Sequence, residues 1–197
     1  LVVKDGFIEE IGGRDILPNY IGYEIIDGKE GILIPGMVNC HTHNAMIVFR
    51  SLGDDVADRL TKYLFPLEKN ILNREIVYLG SKYGAAELAL GGVTSFCDMY
   101  YFEDEVEKAT SELGLRAILG ETVVNFKAPD VDEPYGGIGY AKDFINKWKG
   151  HNLIIPAIAP HAPYSLDTDH LKECFNLGQK EDVPILMHIA ETKKEKN

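Results

Sequence analysis

Over residues 1–34 short apolar runs are separated by turn dipeptides. Leu1-Val2-Val3 and Phe7-Ile8-Glu9-Glu10-Ile11 flank Asp5-Gly6, and Ile25-Ile26 and Ile32-Leu33-Ile34 flank Asp27-Gly28. Asp5-Gly6 between two apolar runs signals a hairpin, because both residues tolerate the positive φ of a tight turn, and Asp27-Gly28 marks another turn. The segment reads as a small β-rich piece. From Pro35 the rhythm changes, and apolar strands alternate with longer amphipathic stretches. Strands are predicted at Met37–His43, Thr94–Met99, Arg116–Val124, Leu153–Ala159 and Pro184–Ile189. Helices are predicted at Asp54–Leu67, Arg74–Leu90, Glu103–Leu113, Tyr140–Lys149 and Asp167–Lys180, with Gly91-Gly92 as a stop signal. Lys193-Lys194-Glu195-Lys196 reads as the solvated start of a further helix. Strand–helix alternation implies a parallel sheet with crossover helices, either an open doubly wound sheet or a β/α barrel.

Composition narrows the class. A chain of 197 residues with 45% hydrophobic and 26% charged positions is globular, which excludes a disordered tail, a collagen-like repeat or a disulfide miniprotein. The length suits one domain or one domain with an appendage, and falls short of the roughly 250 residues of a complete eight-stranded barrel. A net charge of −11 disfavours nucleic acid, whose phosphates need a cationic surface. Cys40, Cys97 and Cys174 are an odd, scattered set without a Cys-x-x-Cys pair, which fits a reducing cytoplasm. No apolar run reaches the ~18 residues of a membrane span, and the start at Leu1 lacks the features of a signal peptide. A cytoplasmic protein with a small-molecule substrate and no nucleic-acid or membrane partner is expected.

The histidines carry the chemistry. His41 and His43 lie two apart at the end of an apolar strand, where a period of two puts both imidazoles on one side. His188 ends a second strand with Glu191 three residues on, and His161 follows a third in Ala159-Pro160-His161-Ala162-Pro163-Tyr164-Ser165. Parallel β/α folds bind ligands at the carboxyl ends of their strands, so these residues fall where such a fold places its site. A polar strand end, a proline-fixed loop and a core histidine are the plain alternatives. His151 and His170 read as surface residues.

Pro35-Gly36-Met37-Val38-Asn39-Cys40-His41-Thr42-His43-Asn44-Ala45-Met46 resembles the metal-site signature of the amidohydrolase superfamily. The resemblance continues through Phe65-Pro66-Leu67-Glu68, Gly91-Gly92-Val93-Thr94, Asp98-Met99-Tyr100-Tyr101-Phe102, the proline-flanked His161 and Met187-His188-Ile189-Ala190-Glu191-Thr192. It is strongest to the branch of 5-methylthioadenosine/S-adenosylhomocysteine deaminases, with chlorohydrolases and guanine deaminases as neighbours. The resemblance implies a metal-dependent (β/α)8 TIM barrel, of which strands one to five occupy residues 35–197, and part of a flanking β-sandwich domain in residues 1–34. It implies one divalent metal ion, zinc first and iron as the alternative, held by His41, His43 and His188. It implies proton transfer by Glu191, which also contacts substrate, a substrate contact from His161, and hydrogen bonds from ribose hydroxyls to Glu68. A homo-oligomer is a further family expectation.

Two departures bear on the substrate. Family members that accept S-adenosylhomocysteine carry an arginine where this chain has Glu121, and a tryptophan where it has Asp58-Arg59-Leu60. A carboxylate cannot pair with an amino-acid carboxylate tail, so a neutral 5′-substituent is expected. The leading expectation is hydrolytic deamination of a 5-methylthioadenosine-like nucleoside with release of ammonia. The alternatives are hydrolysis of another aminated or halogenated heterocycle of guanine or triazine type, an inactive metal-binding scaffold, and a parallel-sheet binding protein without chemistry. The family's metal-binding aspartate after strand eight and its histidine after strand six have no match here and are expected beyond Asn197, in a barrel about twice this length.

Overall fold

The computed structural model describes residues 1–56, 58–191 and 195. The helix start expected at Lys193-Lys194-Glu195-Lys196 lies outside the described residues apart from Glu195. The chain divides into two compact units, Leu1–Pro35 and Gly36–Asn197.

In the first unit β1 (Val2–Lys4) and β2 (Phe7–Glu10) form an antiparallel hairpin with Val3 opposite Ile8. Asp5 and Gly6 make the turn at φ 51° and 82°. A 3-10 turn follows at Arg14–Tyr20. The turn expected at Asp27-Gly28 is present, with the Lys29 N–H on Asp27 Oδ1 at 3.0 Å and the Gly31 N–H on the Gly28 carbonyl at 2.7 Å, but the runs beside it form no strands. Ile25, Ile26 and Ile32 are 74%, 84% and 91% exposed. Two flanking runs with nothing to pack against gain too little burial to offset the cost of ordering a ladder.

The second unit is a parallel sheet in the order β3 (Met37–Thr42), β4 (Val93–Tyr100), β5 (Arg116–Val123), β6 (Ile154–Pro160). Its helices are α1 (Phe65–Ile71), α2 (Arg74–Leu90), α3 (Glu103–Leu113), α4 (Gly137–Trp148) and α5 (Thr168–Glu181). The sequential strand order with crossover helices is an α/β arrangement, the partial form of the expected barrel. Phe96 pairs with Ala117, and Leu119 with Pro156. Phe96, Leu119, Ile154 and Ile158 are buried, as are Val77 of α2, Val106 of α3 and Ile145 of α4. No helix among the described residues is long and apolar enough to cross a membrane.

Two expected elements differ. Pro184–Ile189 is not a full strand: it joins β6 through one parallel bridge, Ile158 to Ile185. Its backbone still follows β6, with Leu186 N–H on the Ile158 carbonyl at 3.0 Å and His188 N–H on the His161 carbonyl at 2.9 Å. The helix expected over Asp54–Leu67 starts only at Leu60. Gly53 and Asp58, at φ 69° and 61°, break the preceding stretch. Leu60–Leu64 is then a π turn in which the Phe65 N–H reaches the Leu60 carbonyl. Pro66 has no N–H to continue an α ladder, so the wider turn shifts the register before α1 begins.

Candidate metal centre and its pocket

The carboxyl end of β3 delivers His41 and His43, and the segment beside β6 delivers His188. The candidate ligand atoms of these three residues lie within 4.8 Å of one another, with His41 exposed and the other two half-buried. Two of the rings are fixed by carbonyl groups. His43 Nδ1 lies 2.6 Å from the Met99 carbonyl, and His188 Nδ1 lies 3.0 Å from the His161 carbonyl. A carbonyl can only accept, so each Nδ1 carries the proton and each Nε2 keeps its lone pair. Those two Nε2 atoms face each other at 3.2 Å. Two lone pairs at that distance repel unless a cation lies between them. Burial pushes His43 down to about 4, and it lowers His41 as well, so both are neutral at pH 7. Three imidazoles are a donor set that suits zinc.

The loop that presents His43 is anchored from below. Residues 44–49 form a 3-10 turn packed on α2, whose N-cap Asn73 accepts from the Ile76 N–H at 3.0 Å. Asn44 donates to the Ser81 carbonyl at 3.0 Å. Gly84 of α2 lies so close that a methyl group there would overlap the Asn44 amide.

A cavity of about 300 Å³ opens beside the histidines, lined among others by His43, Glu68, Tyr100, His161, His188 and Glu191. His161 is 9% exposed, and its ring centroid lies 4.8 Å from that of His188. Its Nδ1 lies 3.2 Å from Ser165 Oγ, whose own proton goes to the Ala162 carbonyl. The His161 proton therefore sits on Nδ1, which leaves Nε2 as an acceptor. Burial holds His161 at about 4, again neutral. Glu68 is 5% exposed and accepts from the Tyr100 hydroxyl at 2.8 Å. Burial raises its carboxyl to about 7, a rise that the Tyr100 hydrogen bond opposes. Glu191 is exposed at the rim, where it accepts from the Tyr164 hydroxyl at 2.6 Å. A more open depression of about 660 Å³ also borders His43, but holds none of the other histidines.

All six residues expected at the site thus gather at the strand ends, three as a cluster and all but His41 around one cavity. His151 and His170 lie elsewhere: His151 accepts from the Leu153 and Ile154 N–H groups, and His170 stacks on Tyr135 at 3.5 Å. Glu121 requires a correction. It does not line the cavity but is fully buried, accepting from the Glu103 N–H at 3.2 Å with Asp130 beside it. It therefore neither pairs with nor repels a substrate tail. Residues that the pattern of the sequence did not single out are Tyr100, Tyr164 and the aliphatic and aromatic wall of Met46, Leu60, Leu64 and Phe65.

A sequence profile described as the amidohydrolase family matches residues 32–197. A 5-methylthioadenosine/S-adenosylhomocysteine deaminase 1 from Syntrophus aciditrophicus is 40% identical over 185 residues, covering 93% of this chain and 42% of that protein. A 5′-deoxyadenosine deaminase from Methanocaldococcus jannaschii is 40% identical over 173 residues, covering 86% of this chain and 40% of that one. Among solved structures, an adenosine deaminase from Xanthomonas campestris with bound zinc superimposes with a TM-score of 0.78 at 30% identity, over 82% of this chain and 37% of that one. The chain spans about two fifths of the length of these relatives.

Proposed function

The chain belongs to the amidohydrolase family, and from that premise we propose that it carries much of the active site of a metal-dependent hydrolytic deaminase of an adenosine-type nucleoside. The observation that supports this best is the convergence of three imidazoles, two of them on the wall of a cavity that also presents Glu68, His161 and Glu191. His41, His43 and His188 would hold the ion, zinc by the chemistry of the donors. When bound, such an ion supplies Lewis-acid activation of water at neutral pH.

The remaining work falls to side chains of this chain. Glu191 carries a proton from the attacking water to the ring nitrogen beside the carbon that bears the amino group. The water oxygen bonds to that carbon, the water's second proton passes to the amino group as the carbon–nitrogen bond breaks, and ammonia leaves behind a ring carbonyl. Tyr164, donating to Glu191, holds the carboxylate over the cavity. His161 offers Nε2 as an acceptor to the substrate. Glu68 uses part of its acceptor capacity on Tyr100 and offers the rest to ribose hydroxyls. Met46, Leu60, Leu64 and Phe65 make an apolar wall suited to a neutral 5′-substituent. The Arg59 guanidinium at the same wall is already engaged with the Leu52 carbonyl at 2.8 Å and with Asp54 at 3.2 Å. The substrate read from this pocket is 5-methylthioadenosine or 5′-deoxyadenosine rather than S-adenosylhomocysteine.

Ammonia release by the zinc-loaded full-length enzyme, measured with those three nucleosides and guanine, tests the proposal. The two neutral nucleosides are expected to give the highest kcat/KM. Activity on guanine with none on either of them would overturn it.

A further inference from the structure

Beneath the loop that carries His43 lies a buried carboxyl pair for which the deamination chemistry has no use. Asp98, in β4, is fully buried. Its Oδ1 accepts from the Asn44 N–H at 2.6 Å and, in a short hydrogen bond, from the Thr42 hydroxyl. Thr42 and Asn44 flank His43, so a single carboxylate oxygen grips the chain on both sides of a candidate ligand. The His43 ring itself rests on Met99, the next residue of the same strand.

Asp98 Oδ2 and Glu103 Oε2 are both buried with no hydrogen-bond partner among the described residues. The Glu103 carboxyl neighbours that of Asp98, and its Oε1 accepts from the Tyr100 N–H at 2.7 Å. Two buried carboxyl groups side by side do not both ionise. Burial first, and the neighbouring Asp98 second, push Glu103 well above the usual carboxylate range, so Glu103 keeps its proton. A second carboxyl pair, Glu121 with Asp130, extends the frame: Glu121 accepts from the Glu103 N–H, and Asp130 from the Phe102 N–H at 2.7 Å. The chain at Phe102 is left-handed, at φ 55°, and these bonds hold it there.

We propose that Asp98 is the positioning residue of the metal centre: by clamping Thr42 and Asn44 it presents His43 to the ion in a preformed geometry, and Glu103 holds the clamp in place. The proposal rests on the reading of His41, His43 and His188 as metal ligands. Without the clamp His43 has to be ordered when the metal binds, and affinity falls.

The test uses the full-length protein and reads zinc affinity by chelator competition, together with the visible absorption bands of the cobalt-substituted form. Asp98→Ala is expected to weaken zinc binding by roughly 10–100-fold and to shift the cobalt bands, the usual effect of removing an outer-shell partner. Asp98→Asn keeps a carbonyl Oδ1 and is expected to recover most of that loss. Should Asp98→Ala fail to fold, Thr42→Val removes one arm of the clamp at constant volume. It is expected to weaken zinc in the same direction, and Thr42→Ser to restore it. Unchanged affinity and unchanged bands in Thr42→Val would overturn the proposal, as would a lower melting temperature of the metal-free protein at unchanged affinity. A wild-type protein that binds no divalent metal overturns both the clamp and the reading beneath it. A protein that binds zinc and loses it on Thr42→Val, yet releases no ammonia from any nucleoside, supports the clamp and removes only the proposed function.

Discussion

Glu191 and Glu68 are both carboxylates at one cavity, yet their surroundings give them different behaviour. Glu191 stands at the solvent rim, where it accepts from the Tyr164 hydroxyl. In Glu191→Gln the amide still accepts from Tyr164 but cannot carry a proton, so kcat is expected to fall by about 10²–10⁴-fold. Metal analysis of the same variant should show the full zinc content; wild-type turnover would remove Glu191 from the mechanism. Glu68 is buried, and its carboxyl is raised from 4.5 to about 7. Between those values the folded state holds a proton there that the unfolded chain has released. Stability from this group is therefore complete below about pH 4.5 and is lost as pH rises through about 7, by roughly 3 kcal/mol in all. Glu68→Gln is neutral throughout and should flatten that dependence. Denaturant unfolding of the two proteins at pH 5 and pH 8 checks it, and a difference between them that does not change with pH would contradict it.

The elements matter through where they set these side chains, and α2 shows how narrow the tolerance is. Gly84 lets the helix approach the 44–49 turn until its backbone touches Asn44, the residue after His43. Gly84→Ala is expected to cost about 1–3 kcal/mol through overpacking, and to displace the loop of His43. Urea denaturation measures the first effect and zinc affinity the second; a variant as stable as wild type would show that the loop can shift without cost. The helix itself was plain in the sequence over Arg74–Leu90, as was α3 over Glu103–Leu113, because periodic apolar positions and caps are local signals. The strand bearing His41 and the strand that precedes His161 were equally plain. The turn at Asp27-Gly28 was legible too, but turn chemistry says nothing about whether the flanking runs find a surface to cover. The late helix start at Leu60 was hidden for a related reason: positive φ at Asp58 and the π turn before Pro66 are choices of packing. The site histidines could be read from spacing and resemblance. The role of Asp98 could not, because its bonds to Thr42 and Asn44 cross more than fifty residues of sequence. The available hint was a carboxylate inside an apolar strand.

At the scale of the whole molecule, the sheet leaves two sides open. Among the described residues β3 pairs with β4 alone, and the segment bearing His188 is tied to β6 by a single bridge. Apolar side chains on and near these edges face solvent: Met37 is 50% exposed, Val38 65% and Ile189 73%. A long edge with exposed apolar residues is a template for pairing with another chain. His41 lies on that same exposed strand, so two of the three candidate ligands depend on elements that are each supported from one side. The 197-residue polypeptide produced alone is therefore expected to self-associate and to bind a hydrophobic dye. It is expected to melt without a cooperative transition, and zinc should sharpen the melt only weakly, because His41 and His188, on loosely held edges, must be ordered as the ion binds. Gel filtration and calorimetry with and without zinc measure each of these. A monomer that melts in one sharp transition without metal would show that the four-stranded sheet and its helices already form a self-sufficient core. The exposed faces of β3 and of the His188 segment would then need no covering partner.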